Sequence, residues 1–175
     1  MSLKMDSRVT MEVYWSWTER ETNVTTMTNG NLRRQFPFSS DTSPAVDTVW
    51  CAQDVALAAS TTTSYDLTQL TRSIFDEPSS VELGNLCAIY VHNKSAAAPL
   101  AVMNTGTGTA ETVLEGSVLQ QTLLPPGGAL CLCNPLANWS VTTVRKTLQI
   151  ENLSADAVAT FDLIVTGILA VPEEI

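Results

Sequence analysis

The chain has 175 residues, 45% of them hydrophobic and only 15% charged, and its 18 acidic against nine cationic side chains give a formal net charge of −9. This length suits one domain with a sizeable core, since a domain of about 150 residues buries roughly 70% of the surface of its unfolded chain. The acidic balance disfavours nucleic acid and anionic membrane as partners, because both are bound through basic patches.

The N-terminal part predicts a β-hairpin with an aromatic face. Apolar and polar residues alternate over 10–18 and again over 22–28, as in half-buried strands. The first strand places four large apolar residues on one face: Met11, Val13, Trp15 and Trp17. Residues 19–21 are turn-like, and Asn29-Gly30-Asn31 predicts a turn after the second strand. We expect residues 1–47 to form an arm that packs on the main domain or on a neighbouring subunit.

Residues 48–175 predict the main domain as a series of strands. The run 47–60 indicates a strand that is bulged or broken near Asp54, and the short apolar runs 86–92 and 129–133 are typical of core strands. Further strands are expected at 100–103, 117–124, 139–144, 146–151 and 157–169. Residues 75–80 read as a loop, and the Gly- and Thr-rich residues 104–116 as an exposed hairpin tip or a flexible loop.

The last strand shows the clearest alternation. Its apolar face is predicted to carry Ala159, Phe161, Leu163, Val165 and Gly167. Asp162 interrupts the apolar run, but the alternation assigns it to the opposite, polar face.

Together these runs predict an all-β fold. Roughly nine to eleven strands with turn signals every 8–12 residues are typical of a sandwich or barrel. No stretch has helical periodicity or leaves room for helical crossovers, so the sheets are expected to be antiparallel. The leading expectation is a β-sandwich in jelly-roll order.

Cysteines and glycosylation signals are interpreted structurally. Cys131 and Cys133 stand on one face of a strand, and all four cysteines lie in apolar runs, so we expect buried, reduced thiols. Asn-x-Ser/Thr triplets begin at Asn23, Asn93, Asn138 and Asn152. Because the N-terminus has no apolar core of a secretory signal, we read these triplets as strand and turn chemistry. The protein is expected to be cytoplasmic as synthesised, or part of a virion.

The order of signals after residue 60 is similar to that of a known group of proteins. The segments that carry the likeness are Tyr65-Asp66-Leu67, Gly84-x-Leu86, Val91-x-Asn93, Leu124-x-Pro126-Gly127-Gly128 and Leu148-x-Ile150-x-Asn152, with Gly167 in the last strand. Over residues 48–169 the chain resembles the small jelly-roll structural proteins of tailed phages and prophages. The resemblance implies a virion component or host-interaction module, and it carries over no catalytic residue.

No motif for catalysis, a cofactor or a metal stands in the sequence. The sole histidine, His92, ends a strand, and no serine lies in a Gly-x-Ser-x-Gly turn. Gly106-Thr107-Gly108 lacks the lysine of a phosphate-binding loop. Single carboxylates such as Asp54, Asp66, Glu82, Glu115 and Asp162 are open to convergence in space, as glycoside hydrolysis requires.

Three tryptophans are the candidate interface or ligand residues: Trp15, Trp17 and Trp139. Aromatic residues fill cores and subunit interfaces, and they also stack on sugars. The leading hypothesis is a non-enzymatic structural protein, a homo-oligomer that also contacts other virion proteins. The alternatives are a carbohydrate-binding module with a glycan partner and a small all-β enzyme acting on glycosides.

Overall fold

A computed structural model describes residues 6–21, 24–39, 46, 48–74, 77–103, 121–134, 139–143 and 145–170. Every regular element within these ranges is a strand. The strands are β1 (Asp6–Glu21), β2 (Val24–Ser39), β3 (Thr48–Leu57), β4 (Thr62–Asp66), β5 (Leu70–Ile74), β6 (Glu77–Val81), β7 (Leu83–Asn93), β8 (Leu100–Met103), β9 (Gln121–Leu124), β10 (Ala129–Cys133), β11 (Trp139–Ser140), β12 (Thr147–Asn152) and β13 (Ala159–Leu169).

Two antiparallel sheets form the body of the protein. The first sheet has the order β10-β7-β13-β3, with β11 also paired to β7, and the second has the order β4-β12-β8-β9. Among these eight main strands, β3 pairs with β13, β4 with β12, β7 with β10 and β8 with β9. Counted in chain order, the first of these eight strands therefore pairs with the eighth, the second with the seventh, the third with the sixth and the fourth with the fifth. The predicted antiparallel sandwich is confirmed, and this order is compatible with a jelly roll.

The core lies between the two sheets because their strands alternate. Leu148 and Ile150 of β12 and Phe161 and Leu163 of β13 are buried in one cluster that draws on both sheets. Asp162, between two buried residues, is half-buried on the opposite face, as the alternation predicted.

The described strands of the first sheet contain three irregularities at which an extra residue enters a strand, and two of them bear on the surface described below. Gln53 and Asp54 both lie opposite Asp162, and Asp54 adopts a positive φ of 52°, which confirms the predicted bulge. Cys87 is the extra residue opposite the step from Thr166 to Gly167. A Cβ atom at Gly167 would lie 2.2 Å from the backbone oxygen of Asn85, so this bulge requires glycine.

Asparagines hold two corners of the body in the same way. Asn93 ends β7, and its amide donates to the backbone oxygens of Ala98 (2.9 Å), Leu124 and Pro125 (both 3.1 Å). Asn152 ends β12, and its amide donates to the oxygens of Leu57 (3.0 Å), Ala58 (3.1 Å) and Ala157 (2.8 Å). In each case Oδ1 accepts the N–H of the serine two residues later, Ser95 or Ser154. Both asparagines are fully buried, so their triplets serve the turns, as predicted.

Four expectations of secondary structure were wrong. Residues 19–21, expected to be turn-like, belong to β1. Asn29-Gly30-Asn31 lies inside β2 instead of in a turn, with Gly30 opposite Trp15 in the register. Residues 77–80, expected as loop, belong to β6, where Pro78 is tolerated because β6 pairs, among the described strands, only with β5. The strand expected over 139–144 ends at Ser140, because Thr142 and Arg145 close a turn through mutual backbone hydrogen bonds.

Candidate interaction surface

The outer face of the first sheet is composed mainly of apolar residues and cysteines. Directly opposed residues of a ladder share a face, and the registers define three rows across the sheet. We call these rows the cysteine face: Val49, Thr166, Ala88 and Cys133; Cys51, Ile164, Tyr90 and Cys131; and Asp162, His92 and Ala129. The positions between these rows, such as Leu163 and Val165, are buried in the core.

The cysteines are not all buried, which corrects the sequence-based expectation. Only Cys87 is buried; Cys133 is half-buried, Cys51 and Cys131 are exposed, and no disulfide joins any two of the four. The period of two explains the error, because an apolar run that fills the core at one position reaches the outer face at the next. The predicted shared face of Cys131 and Cys133 is confirmed by their register positions. Partial desolvation raises the pKa of the Cys131 and Cys133 thiols, although Cys131 as a whole residue is exposed. Both thiols are therefore weak nucleophiles at neutral pH.

One end of the cysteine face is already covered by the chain that leads into β3. Val46 is fully buried and packs with Cys87 and Ala88, against which Cys133 and Ile168 also lie. Val46 follows β2, which ends at Ser39, by seven positions. Val46 therefore covers part of this face, close to the row that contains Ala88 and Cys133.

The other end of the cysteine face carries an ionic cluster at the bulge. The carboxylate of Asp162 accepts the backbone N–H of Asp54 at 2.8 Å, and Lys94 lies against both carboxylates, 3.4 Å from Asp162. The hydrogen bond from Asp54 and the charge of Lys94 lower the pKa of Asp162, and the hydrogen bond to Asp54 raises the pKa of Lys94. Glycoside hydrolysis needs a carboxylic acid with a raised pKa, whereas the pKa of Asp162 is lowered. The contact between Asp162 and Asp54 instead stabilises the bulge, because the carboxylate accepts the backbone N–H of the bulged residue.

The outer face of the second sheet has a different character. Its opposed pairs are polar: Gln149 with Ser64, Glu151 with Thr62, and Thr147 with Asp66. Gln149 donates a hydrogen bond to Ser64 at 3.1 Å. The second sheet therefore has the outer face expected of a solvated antiparallel sheet, and the cysteine face does not.

The three predicted site tryptophans occupy two different places. Trp15 and Trp17 belong to β1, where their backbone partners are Gly30 and Thr28 of β2. Trp139 lies in β11 opposite Leu86, half-buried against the core. The ladders of the described residues do not join Trp139 to the other two. Trp50 is buried, and its indole N–H donates to the backbone oxygen of Thr71 at 2.7 Å, as befits a core residue.

Other sequence candidates are scattered. His92 is half-buried beside Tyr90, with ring centroids 6.3 Å apart. Asp66 pairs with Lys146 at 2.6 Å and accepts two hydrogen bonds from Thr68. Glu115 and the predicted hairpin tip at 104–116 lie outside the described residues. Within the described ranges no three His, Cys, Asp or Glu side chains are grouped to hold a metal ion, and no helix is long and apolar enough to cross a membrane.

Sequence reasoning missed the cysteine face, although a signal for it was present. Cys51, Tyr90, Cys131 and Ile164 each stand between two core positions, which marks an outer face without charge. Comparison with models of known protein families and with curated proteins gives no match for this chain.

Proposed function

We propose that this protein is a non-enzymatic structural subunit that assembles with further copies of itself. The observation that carries the proposal is the N-terminal ribbon: β1 and β2 pair with each other over 16 residues and, among the described strands, with no other. A two-stranded ribbon is marginally stable on its own in water. Such a ribbon persists when its apolar side is covered.

The register makes this ribbon amphipathic in sequence. Val9 faces Phe36, Val13 faces Leu32, and Trp15 and Trp17 occupy further positions of the same face. The other face has polar and charged pairs such as Glu12 with Arg33 and Thr10 with Gln35. The arrangement favours an arm that joins subunits over a free sugar-binding strand, because its apolar positions extend along the ribbon.

Measurement of mass in solution tests the proposal. Light scattering coupled to gel filtration is expected to give a multiple of the 18.9 kDa chain mass, and the fraction of oligomer is expected to increase as the protein concentration rises. A monomer that persists at the highest attainable concentration contradicts self-assembly.

The virion role is the finer part of the proposal and rests on the resemblance to jelly-roll structural proteins of tailed phages. The strand order of the two sheets supports it, since eight paired strands in this order are compatible with that fold. The genes beside the coding sequence provide the test. Capsid, portal or tail genes are the expected neighbours, and a metabolic operon contradicts the role.

A further inference from the structure

We infer that the cysteine face is the docking surface for the β1–β2 ribbon of a second copy of this chain. The inference deepens the proposed function and rests on it. It assigns both sides of the contact: the apolar side of the ribbon from one subunit and the outer face of the first sheet from the next.

The first argument is that two largely apolar surfaces match in length and in composition. The central row of the cysteine face, Cys51, Ile164, Tyr90 and Cys131, contains no charge and is half-buried or exposed. The apolar run of β1 from Val9 to Trp17 spans nine residues, or roughly 30 Å of strand. The outer positions of β13 from Asp162 to Ile168 span seven residues, or roughly 23 Å. The ribbon is therefore long enough to cross the face along its strands.

The second argument is the distribution of charge, which selects the ribbon over another body as the occupant. Residues 1–39 hold five of the nine cationic residues and four of the eighteen acidic ones. Residues 40–175 are left with four cationic and fourteen acidic residues, a net charge of −10. Two such bodies repel each other, whereas the β1–β2 ribbon, whose residues 6–39 hold four cationic and four acidic side chains, has a net charge of zero and approaches a body without that cost.

The charges near the contact agree with this choice. Arg34 occupies the apolar side of the ribbon, opposite Met11. Asp54, Lys94 and Asp162 form a cluster of net charge −1 at one end of the cysteine face. The surface that receives the ribbon therefore has a net negative charge at one end, and the apolar side of the ribbon contains the positively charged Arg34.

The third argument is continuity with a contact that the chain already makes. Val46 covers one end of the cysteine face, and it follows the end of the ribbon at Ser39 by seven positions in the chain. The ribbon is therefore tethered, by a short stretch of sequence, to the same face that a neighbour's ribbon is inferred to cover. Reciprocal exchange between two copies fills both faces at once and leaves no ribbon unpaired.

Crosslinking in the full chain tests the inference with native thiols as receivers. Val13→Cys places a thiol on the apolar side of the ribbon, and Tyr14→Cys, one residue on, places it on the other side. Both variants are treated at pH 8 with a short bismaleimide, using a mixture of isotopically heavy and light chains. We expect Val13→Cys to link to Cys51 or Cys131 of a different chain at least tenfold more than Tyr14→Cys does.

A pair of charge substitutions provides a second reading. Ile164→Lys adds a cation to the centre of the cysteine face, and Gln149→Lys adds the same charge to the outer face of the second sheet. Ile164→Lys is expected to raise the dissociation constant of the assembly at least tenfold, while Gln149→Lys leaves it within twofold. Unchanged circular dichroism establishes that each variant folds.

The outcomes separate the inference from the proposed function. An oligomer that shows equal crosslinking in the two cysteine variants, or equal dissociation in the two lysine variants, overturns the docking surface and leaves self-assembly intact. Crosslinks confined to single chains show that each ribbon covers its own body, which also overturns it. A monomeric wild-type protein overturns both.

Discussion

At the scale of single residues, two asparagines contribute more to the fold than their polar character suggests. The two N–H bonds of each amide are shared among three carbonyl oxygens, and each Oδ1 accepts a fourth hydrogen bond. The same constellation recurs around Asn152. The sequence repeats with it, since Asn93-x-Ser95-Ala96-x-Ala98 matches Asn152-x-Ser154-Ala155-x-Ala157. The fold thus uses one local solution for two corners.

Removal of either amide is expected to destabilise the body strongly. Asn93→Ala or Asn152→Ala leaves several buried backbone groups without a partner, so we expect a loss of about 3 kcal/mol in the free energy of unfolding. Urea denaturation measures it. Gln121→Ala, at an exposed position of β9, is the control and is expected to cost less than about 0.5 kcal/mol. Equal midpoints for the asparagine variants and the control contradict this role.

At the scale of elements, the core strands and the existence of the N-terminal hairpin were predictable, whereas the length and register of that hairpin and the β5–β6 ribbon were not. β12 alternates between buried and half-buried residues throughout, and β7 and β13 do so over 89–93 and 159–165, so the sequence pattern locates these strands and their buried faces. The turn residues Asn29-Gly30 were misleading because register depends on the partner strand: Gly30 stands opposite Trp15 in a ladder that sequence periodicity does not specify. The cysteine face was missed for a related reason, since it exists only after four strands align their outer positions.

The junction between β4 and β12 predicts a dependence on pH. Burial raises the pKa of Asp66, but hydrogen bonds from Lys146 and Thr68 outweigh it and lower the pKa below its ordinary 3.8. A lowered folded-state pKa stabilises the protein above the unfolded value, and this contribution disappears as the pH falls through the folded value.

Asp66→Asn is therefore expected to cost about 0.5–1 kcal/mol at pH 7, since the pair with Lys146 is about one-third exposed. The difference from the wild type shrinks below about pH 4. Thermal unfolding between pH 2 and pH 7 measures it. Glu151→Gln removes a carboxylate from the same sheet and controls for net charge. A difference that is constant across this pH range rules out the ion pair as its source.

At the scale of the whole molecule, the chain is divided into two parts of different charge. The body of 40–175 carries fourteen of the eighteen acidic residues, and 1–39 carries five of the nine cationic ones. Two strongly acidic bodies repel each other. In the assembly that we propose, specific contact therefore depends on the arm, in which apolar and cationic positions combine.

This division predicts how assembly responds to salt and to the arm's arginine. Arg34→Glu makes the arm acidic, and we expect the dissociation constant to rise roughly tenfold, or about 1.4 kcal/mol, in 0.1 M salt. The effect shrinks in 1 M salt, where the screening length falls from about 10 Å to about 3 Å.

The control places the same change of two charge units on exposed body positions, as Thr143→Glu with Ala155→Glu. Analytical ultracentrifugation measures both variants. The control weakens assembly less because its charges act only through overall repulsion. If the two variants weaken assembly equally at both salt concentrations, net charge alone governs association and the arm has no special part in it.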